Sequence, residues 1–276
     1  MKNIVRLAVA GGSVAALAAI TGPATANHAW STYHWDTGST TVVSVPIMDN
    51  VSGVWEQHLD QAIVDWNKSA HINATEMPGS ANTKRCPITS GQIDVCNDTY
   101  GSTGWLGIAS IALSNGHISG GVTKVNDTYF NTSTYNNDTW RQLVMCQEIG
   151  HDYGLGHQNE DFNTDLTTSC MEYTNQPAGN EGPDAHDYNM LAQIYGHTHG
   201  GSGGGGEEPC KGGWKKCGSG NGNGKMIGLT GAGPADWGRA VGFDKQGRAN
   251  VYSRRAGGYT IITHVTWAMG YQPDHH

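Results

Sequence analysis

Residues 146–157 read Cys-Gln-Glu-Ile-Gly-His-Asp-Tyr-Gly-Leu-Gly-His. Gln147 and His151 are four apart, so a helix through them directs both side chains to one spot. Glu148 brings a carboxylate beside whatever is held there. Gly154 lets the chain turn out of the helix, so that His157 returns to the same place. Two imidazoles, an amide oxygen and a carboxylate suit a zinc ion with an open position for water and a general base next to it. On this reading Gln147, His151 and His157 are the metal ligands and Glu148 is the base. The neutral amide is the odd member, because zinc prefers nitrogen and sulfur donors. His117 and His186 are further imidazoles that could take its place. The plainer readings are two polar histidines at a helix end, or a site of this layout that holds no metal.

The stretch resembles the metzincin metallopeptidases, whose signature H-E-x-x-H-x-x-G-x-x-H is followed by a Met-turn. Glu148, His151, Gly154 and His157 match it position by position, and Gln147 stands where the family has its first histidine. Met171, 14 residues after His157 in Ser169-Cys170-Met171-Glu172-Tyr173, is similar to the Met-turn. The resemblance covers roughly residues 30–197 and implies a matrixin-sized domain of α+β class, with a twisted sheet, an active-site helix and a C-terminal helix. It implies zinc-dependent hydrolysis of a protein or peptide substrate, with Met171 beneath the metal. Calcium is a further implied cofactor, with Glu160, Asp161 and Asp165 as its candidates. Tyr173 is placed where astacin-type and serralysin-type enzymes have a tyrosine near the metal. That implies an oxyanion stabiliser or a fifth ligand, the alternative being a tyrosine packed in a turn. If helix and Met-turn meet beneath the metal, Cys146 pairs with Cys170. Cys86–Cys96 and Cys210–Cys217 then complete one of the fifteen pairings open to six cysteines.

The elements that must position these groups are partly visible in the pattern. Thr40–Ile47 is β-rich, and Trp55, Leu59, Ala62, Ile63 and Trp66 fall at helical spacing. Gly107–Leu113 and His117–Val125 read as strands. Asn137 or Asp138 caps a helix continuing to about His151, and Pro183 opens a last helix that ends before Gly196. Beyond a glycine-rich stretch, Arg239–Phe243, Asn250–Ser253 and Tyr259–Trp267 are strand-like. The order predicts an α+β or mixed α/β domain followed by a small β-rich accessory module.

Composition frames the rest. The chain has 276 residues, 16 Lys+Arg against 24 Asp+Glu, and 40 Gly. A net charge of −8 argues against a general nucleic-acid binder. Met1–Ala26 carries Lys2 and Arg6, an Ala-rich apolar run and Ala24-Thr25-Ala26, which together read as a secretory leader. That predicts a secreted, extracellular protein with no membrane span, in a compartment where disulfides form. Only Asn27, His28 and Ala29 separate the cleavage site from Trp30, so a cysteine-switch prosegment has no room and any latency comes from elsewhere, the tail being one candidate. Glycine fills 12 of the 25 positions in 200–224, the mark of a linker. The reading is therefore a leader over 1–26, a catalytic domain over 27–199, a linker over 200–224 and an accessory module over 225–276. Charge divides along the same line. Residues 27–206 hold 5 basic and 19 acidic side chains, and residues 207–276 hold 9 and 5. The basic tail suggests attachment to an acidic polymer or cell envelope, with His197, His199, His275 and His276 as exposed ends or linker edges. The protein is read as a monomer.

Overall fold

The computed structural model describes residues 32–199 and 225–273. The leader, the glycine-rich linker and the pair Cys210–Cys217 lie outside the described residues. In chain order the elements begin with β1 (His34–Trp35), β2 (Pro46–Asn50), α1 (Glu56–Trp66), β3 (Thr75–Pro78), β4 (Pro87–Thr89) and β5 (Ile93–Asp98). The two longest strands follow, β6 (Trp105–Ser114) and β7 (His117–Asn126), then α2 (Asp127–Phe130), α3 (Asp138–Asp152) and α4 (Ala185–Tyr195). After the linker come β8 (Met226–Leu229), α5 (Pro234–Trp237), β9 (Arg239–Phe243), β10 (Ala249–Ala256) and β11 (Tyr259–Trp267).

The result is a mixed α/β domain built on one large twisted sheet, with a two-stranded sheet of β4 and β8 beside it. Strand order in the large sheet is β3-β2-β5-β7-β6-β11-β10-β9, with β1 added parallel to β7. The strands β2, β3, β5 and β7 are parallel, whereas β6 runs antiparallel to β7 and β11 antiparallel to β6. The C-terminal strands are thus β-rich, as the pattern predicts, and they extend the main sheet across β6. A bare β6 would present a row of unpaired peptide groups, and pairing with β11 removes that liability.

The helices α1 and α3 pack against each other beneath β6 and β7. Asn137 caps α3 by accepting a bond from the Trp140 amide. At α4 the cap is Asp184, with a full capping box to Asp187, so Pro183 lies just ahead of the helix. Buried tryptophans seat this layer with their ring N–H groups satisfied. Trp66 donates to the Cys146 carbonyl at 3.1 Å, and Trp35 to the Asp152 carbonyl at 2.8 Å. A second apolar cluster joins Trp105 and Ile108 of β6 to Trp237, Tyr252, Val265 and Trp267 of the C-terminal segment. Cys86–Cys96 is formed. No helix among the described residues is long and apolar enough to cross a membrane.

Lys124 on β7 fixes the C-terminal segment from the opposite face of the sheet. Its buried ammonium donates to the carbonyls of Arg85 at 2.9 Å and Thr230 at 2.8 Å. Burial pushes its pKa from 10.5 down to about 8. Between those values the unfolded chain holds a proton that the folded chain has released. Lys124 therefore subtracts from stability at neutral pH, and subtracts less as pH rises through that window. The stability of the wild type relative to Lys124→Met, from urea unfolding, is expected to rise by up to about 3 kcal/mol between pH 7 and 10.5. A difference that stays flat with pH would show that Lys124 does not titrate there.

Candidate metal centre

Every residue of α3 from Trp140 to Asp152 is buried, so each polar side chain on it must find a partner inside the fold. Those partners define the site. Two features bring His151 and His157 together. The chain leaves α3 through Gly154, whose φ of +89° suits glycine, and a side chain there would also collide with the Tyr33 carbonyl. The His151 Nδ1 then faces the Leu155 carbonyl at 2.8 Å. The His157 Nδ1 faces Glu160 Oε1 at 3.1 Å. With Nδ1 protonated toward those oxygens, each ring turns a bare Nε2 inward. The two Nε2 atoms are 3.1 Å apart. Nitrogens bonded to one tetrahedral zinc at 2.0–2.1 Å lie roughly 3.3 Å from each other, so this pair fits two corners of a zinc site.

Glu148, three residues before His151 on the same helix, is fully buried, and neither carboxylate oxygen makes a hydrogen bond of good geometry. Burial raises its carboxyl well above the usual carboxylate range; Thr266 opposes the shift in part and Asp152 adds to it.

Gln147 is held elsewhere. Its amide nitrogen donates to the carbonyls of Cys170 at 2.8 Å and Glu172 at 2.9 Å, and its oxygen accepts from the Thr266 hydroxyl at 2.6 Å. In this arrangement the amide pins the Met-turn and β11 to α3, and its oxygen is already engaged. Met171 packs beneath the helix against Gly150, where any side chain would run into the Met171 sulfur and the Trp66 ring. The pair Cys146–Cys170 is formed and closes the same junction.

The ring of Tyr173 stacks on His157, with centroids 4.8 Å apart and planes at 22°. Its hydroxyl accepts from Arg248 at 2.7 Å, and burial pushes its pKa up. It is placed as a shelf for His157, with its oxygen committed to the C-terminal segment. The acidic residues considered for calcium are engaged as well. Glu160 takes His157 on one oxygen and Asn250 on the other, Asp161 accepts from Thr164 and Gln246, and Asp165 accepts from Asn180.

Sequence reasoning passed over His264. It lies on β11 opposite Ala109 of β6, and its buried ring stacks on His151 at 4.1 Å between centroids, with planes at 18°. Burial, with the neighbouring His157, pushes its pKa well below the usual value. The available signal was Ile262, His264 and Thr266 on one face of a strand, two polar groups where only apolar ones belong. His117 and His186 are not brought to the His151–His157 pair. Among the described residues, two groups of three donors lie close enough to share one metal, His34 with His197 and His199, and Asp184 with His186 and Asp187.

Removing the Gln147 amide would leave two carbonyls and a buried hydroxyl without their partner. Gln147→Ala is therefore expected to lower stability by about 2–4 kcal/mol in urea unfolding. A loss within a few tenths of wild type would mean that the amide has no such pinning role.

No family model matches the chain, and no curated protein matches it. Among solved structures it is similar to high choriolytic enzyme 1, a hatching-enzyme zinc-protease of the medaka fish Oryzias latipes. That likeness covers 59% of this chain and 94% of the other, at 16% identity and a TM-score of 0.33. It is also similar to myroilysin, over 62% of this chain and 98% of the other, at 13% identity and a TM-score of 0.37.

Proposed function

We propose that this protein is a secreted zinc-dependent endopeptidase of the metzincin type, held in a covered state by its own C-terminal strand. The observation that carries the reading is the His151–His157 pair, with Nε2 atoms 3.1 Å apart at the end of the helix that also buries Glu148. His151 and His157 would hold the ion. Zinc bound there would supply a Lewis acid for the scissile carbonyl and an acidified water. Glu148 would be the proton carrier at such a site, the group that accepts a proton and returns it to the leaving amine. Leu155 and Glu160 fix the two imidazoles, and Tyr173 keeps the second from tilting.

The cover follows from strand chemistry. An extended peptide binds a free sheet edge by adding a strand to it. Here β11 lies antiparallel along β6 from Thr260 opposite Leu113 to Trp267 opposite Trp105, and it sets His264 on His151. A peptide substrate would need that edge, so β11 has to give way before hydrolysis. The tail is thus the source of latency. Attachment to an acidic polymer or envelope remains assigned to the same segment, where Arg239 and Arg255 are exposed.

A second reading, a catalytically silent zincin-like binding protein, is favoured by the engaged Gln147 amide and the burial of Glu148. The two separate in the full chain, measured for casein hydrolysis and zinc content. Val265→Asp puts a charge in the apolar cluster that seats β11, and His264→Ala removes the ring over His151. Each is expected to raise hydrolysis at least about tenfold over wild type, with the gain abolished by adding Glu148→Ala. Variants that stay folded and load zinc but cleave no casein would overturn the peptidase reading.

A further inference from the structure

Four imidazoles from three separate parts of the chain meet at the β1 end of the sheet. His34 and His117 are register partners in the parallel β1–β7 pair. His197 and His199, two apart in the extended segment after α4, come in from the other side. The ring centroids of His34 lie 4.8 Å from His117, 5.1 Å from His197 and 4.9 Å from His199. His199 is also 4.7 Å from His117 and 4.8 Å from His197. Nitrogens of His34, His197 and His199 all lie within 4.8 Å of one another.

The other donor cluster has a structural explanation. Asp184 and Asp187 form the capping box of α4, and Asp187 also accepts from Ser169 and Gln158. Helix capping does not account for the four histidines. Among the described residues the group of donors around His34 contains imidazoles and no carboxylate.

We propose that His34, His197 and His199, with His117 beside them, form a second metal site that takes zinc. The protonation pattern supports this. The His34 Nδ1 is 2.6 Å from the Thr32 carbonyl, so it carries the proton and leaves Nε2 bare. That bare Nε2 is 3.0 Å from the His199 Nε2, near the separation of two nitrogens on one tetrahedral zinc. An all-imidazole donor set selects a borderline divalent ion such as zinc over calcium or magnesium.

The frame around the site is fixed. The His199 amide donates to the Gly38 carbonyl at 2.8 Å. The Trp35 amide donates to the Tyr195 hydroxyl at 3.3 Å, which itself donates to the Tyr153 carbonyl at 2.8 Å. A metal at this point would tie the segment entering β1 to the segment leaving α4, closing the two ends of the domain on each other.

The test uses the full chain and three variants: His197→Ala/His199→Ala, His34→Gln, and His151→Ala/His157→Ala. Zinc per chain is measured after equilibrium dialysis, and the thermal midpoint is measured with and without zinc. His197→Ala/His199→Ala and His34→Gln should each weaken one class of zinc binding by at least about tenfold and abolish the part of the zinc-induced rise in midpoint that belongs to it. His151→Ala/His157→Ala should leave that class intact. If the peptidase reading fails, zinc binding survives the His151/His157 variant unchanged and disappears with the other two. If the second site is absent, His197→Ala/His199→Ala and His34→Gln keep the wild-type zinc count and the wild-type shift, and the proposal is overturned.

Discussion

The burial of α3 is the constraint on which the rest of the structure depends. A helix carrying Gln142, Gln147, Glu148, His151 and Asp152 inside a protein can persist only if its surroundings answer each polar group. The answers come from segments far apart in the chain. Asp152 receives Thr123 of β7 at 2.9 Å, Gln147 bonds to the Met-turn and to Thr266, and Gln142 faces His58 of α1 at 2.9 Å. Glu148 is the exception, with neither carboxylate oxygen in a hydrogen bond of good geometry.

The C-terminal strands share in this arrangement. Arg248 is buried, pairs with Asp244 at 2.8 Å and donates to Tyr173, while Asn250 and Lys245 hold the loop that carries His157. The apolar cluster around Trp237 and Trp267 supplies the adhesion, and the polar contacts set the register. A segment that looked from composition like an appendage on a glycine leash is therefore part of the wall of the site. Its net positive charge against an acidic body fits that docking.

Much of this was legible in the sequence, and the remainder has identifiable physical reasons. The helix Glu56–Trp66 and the strand Tyr259–Trp267 follow from periodicity, and α3 from its cap and apolar spacing. The strand β5 escaped notice because buried Asp94 and Asn97 break its alternation; Asn50 and Gln92 answer the first, Asp127 the second. Local pattern also cannot say which edge a strand will join, so the pairing of β11 with β6 was invisible. The same gap hid His264. At Gln147 the residue type identified an anomaly but not its cause, since the three partners of its amide lie 23 to 119 positions away. The cluster around His34 was hidden for a similar reason, because proximity of His34 to His199 depends on the return of the chain after α4.

The place of β11 in the chain has a consequence in time. It is the last strand of the large sheet, so it is also the last to leave the ribosome and the last to clear any export channel. The helix and loop that bring His151, Glu148 and His157 together precede it by about a hundred residues. During synthesis the edge of β6 is consequently open until β11 arrives to pair with it. The order in which strands emerge thus sets the interval over which that edge stays exposed.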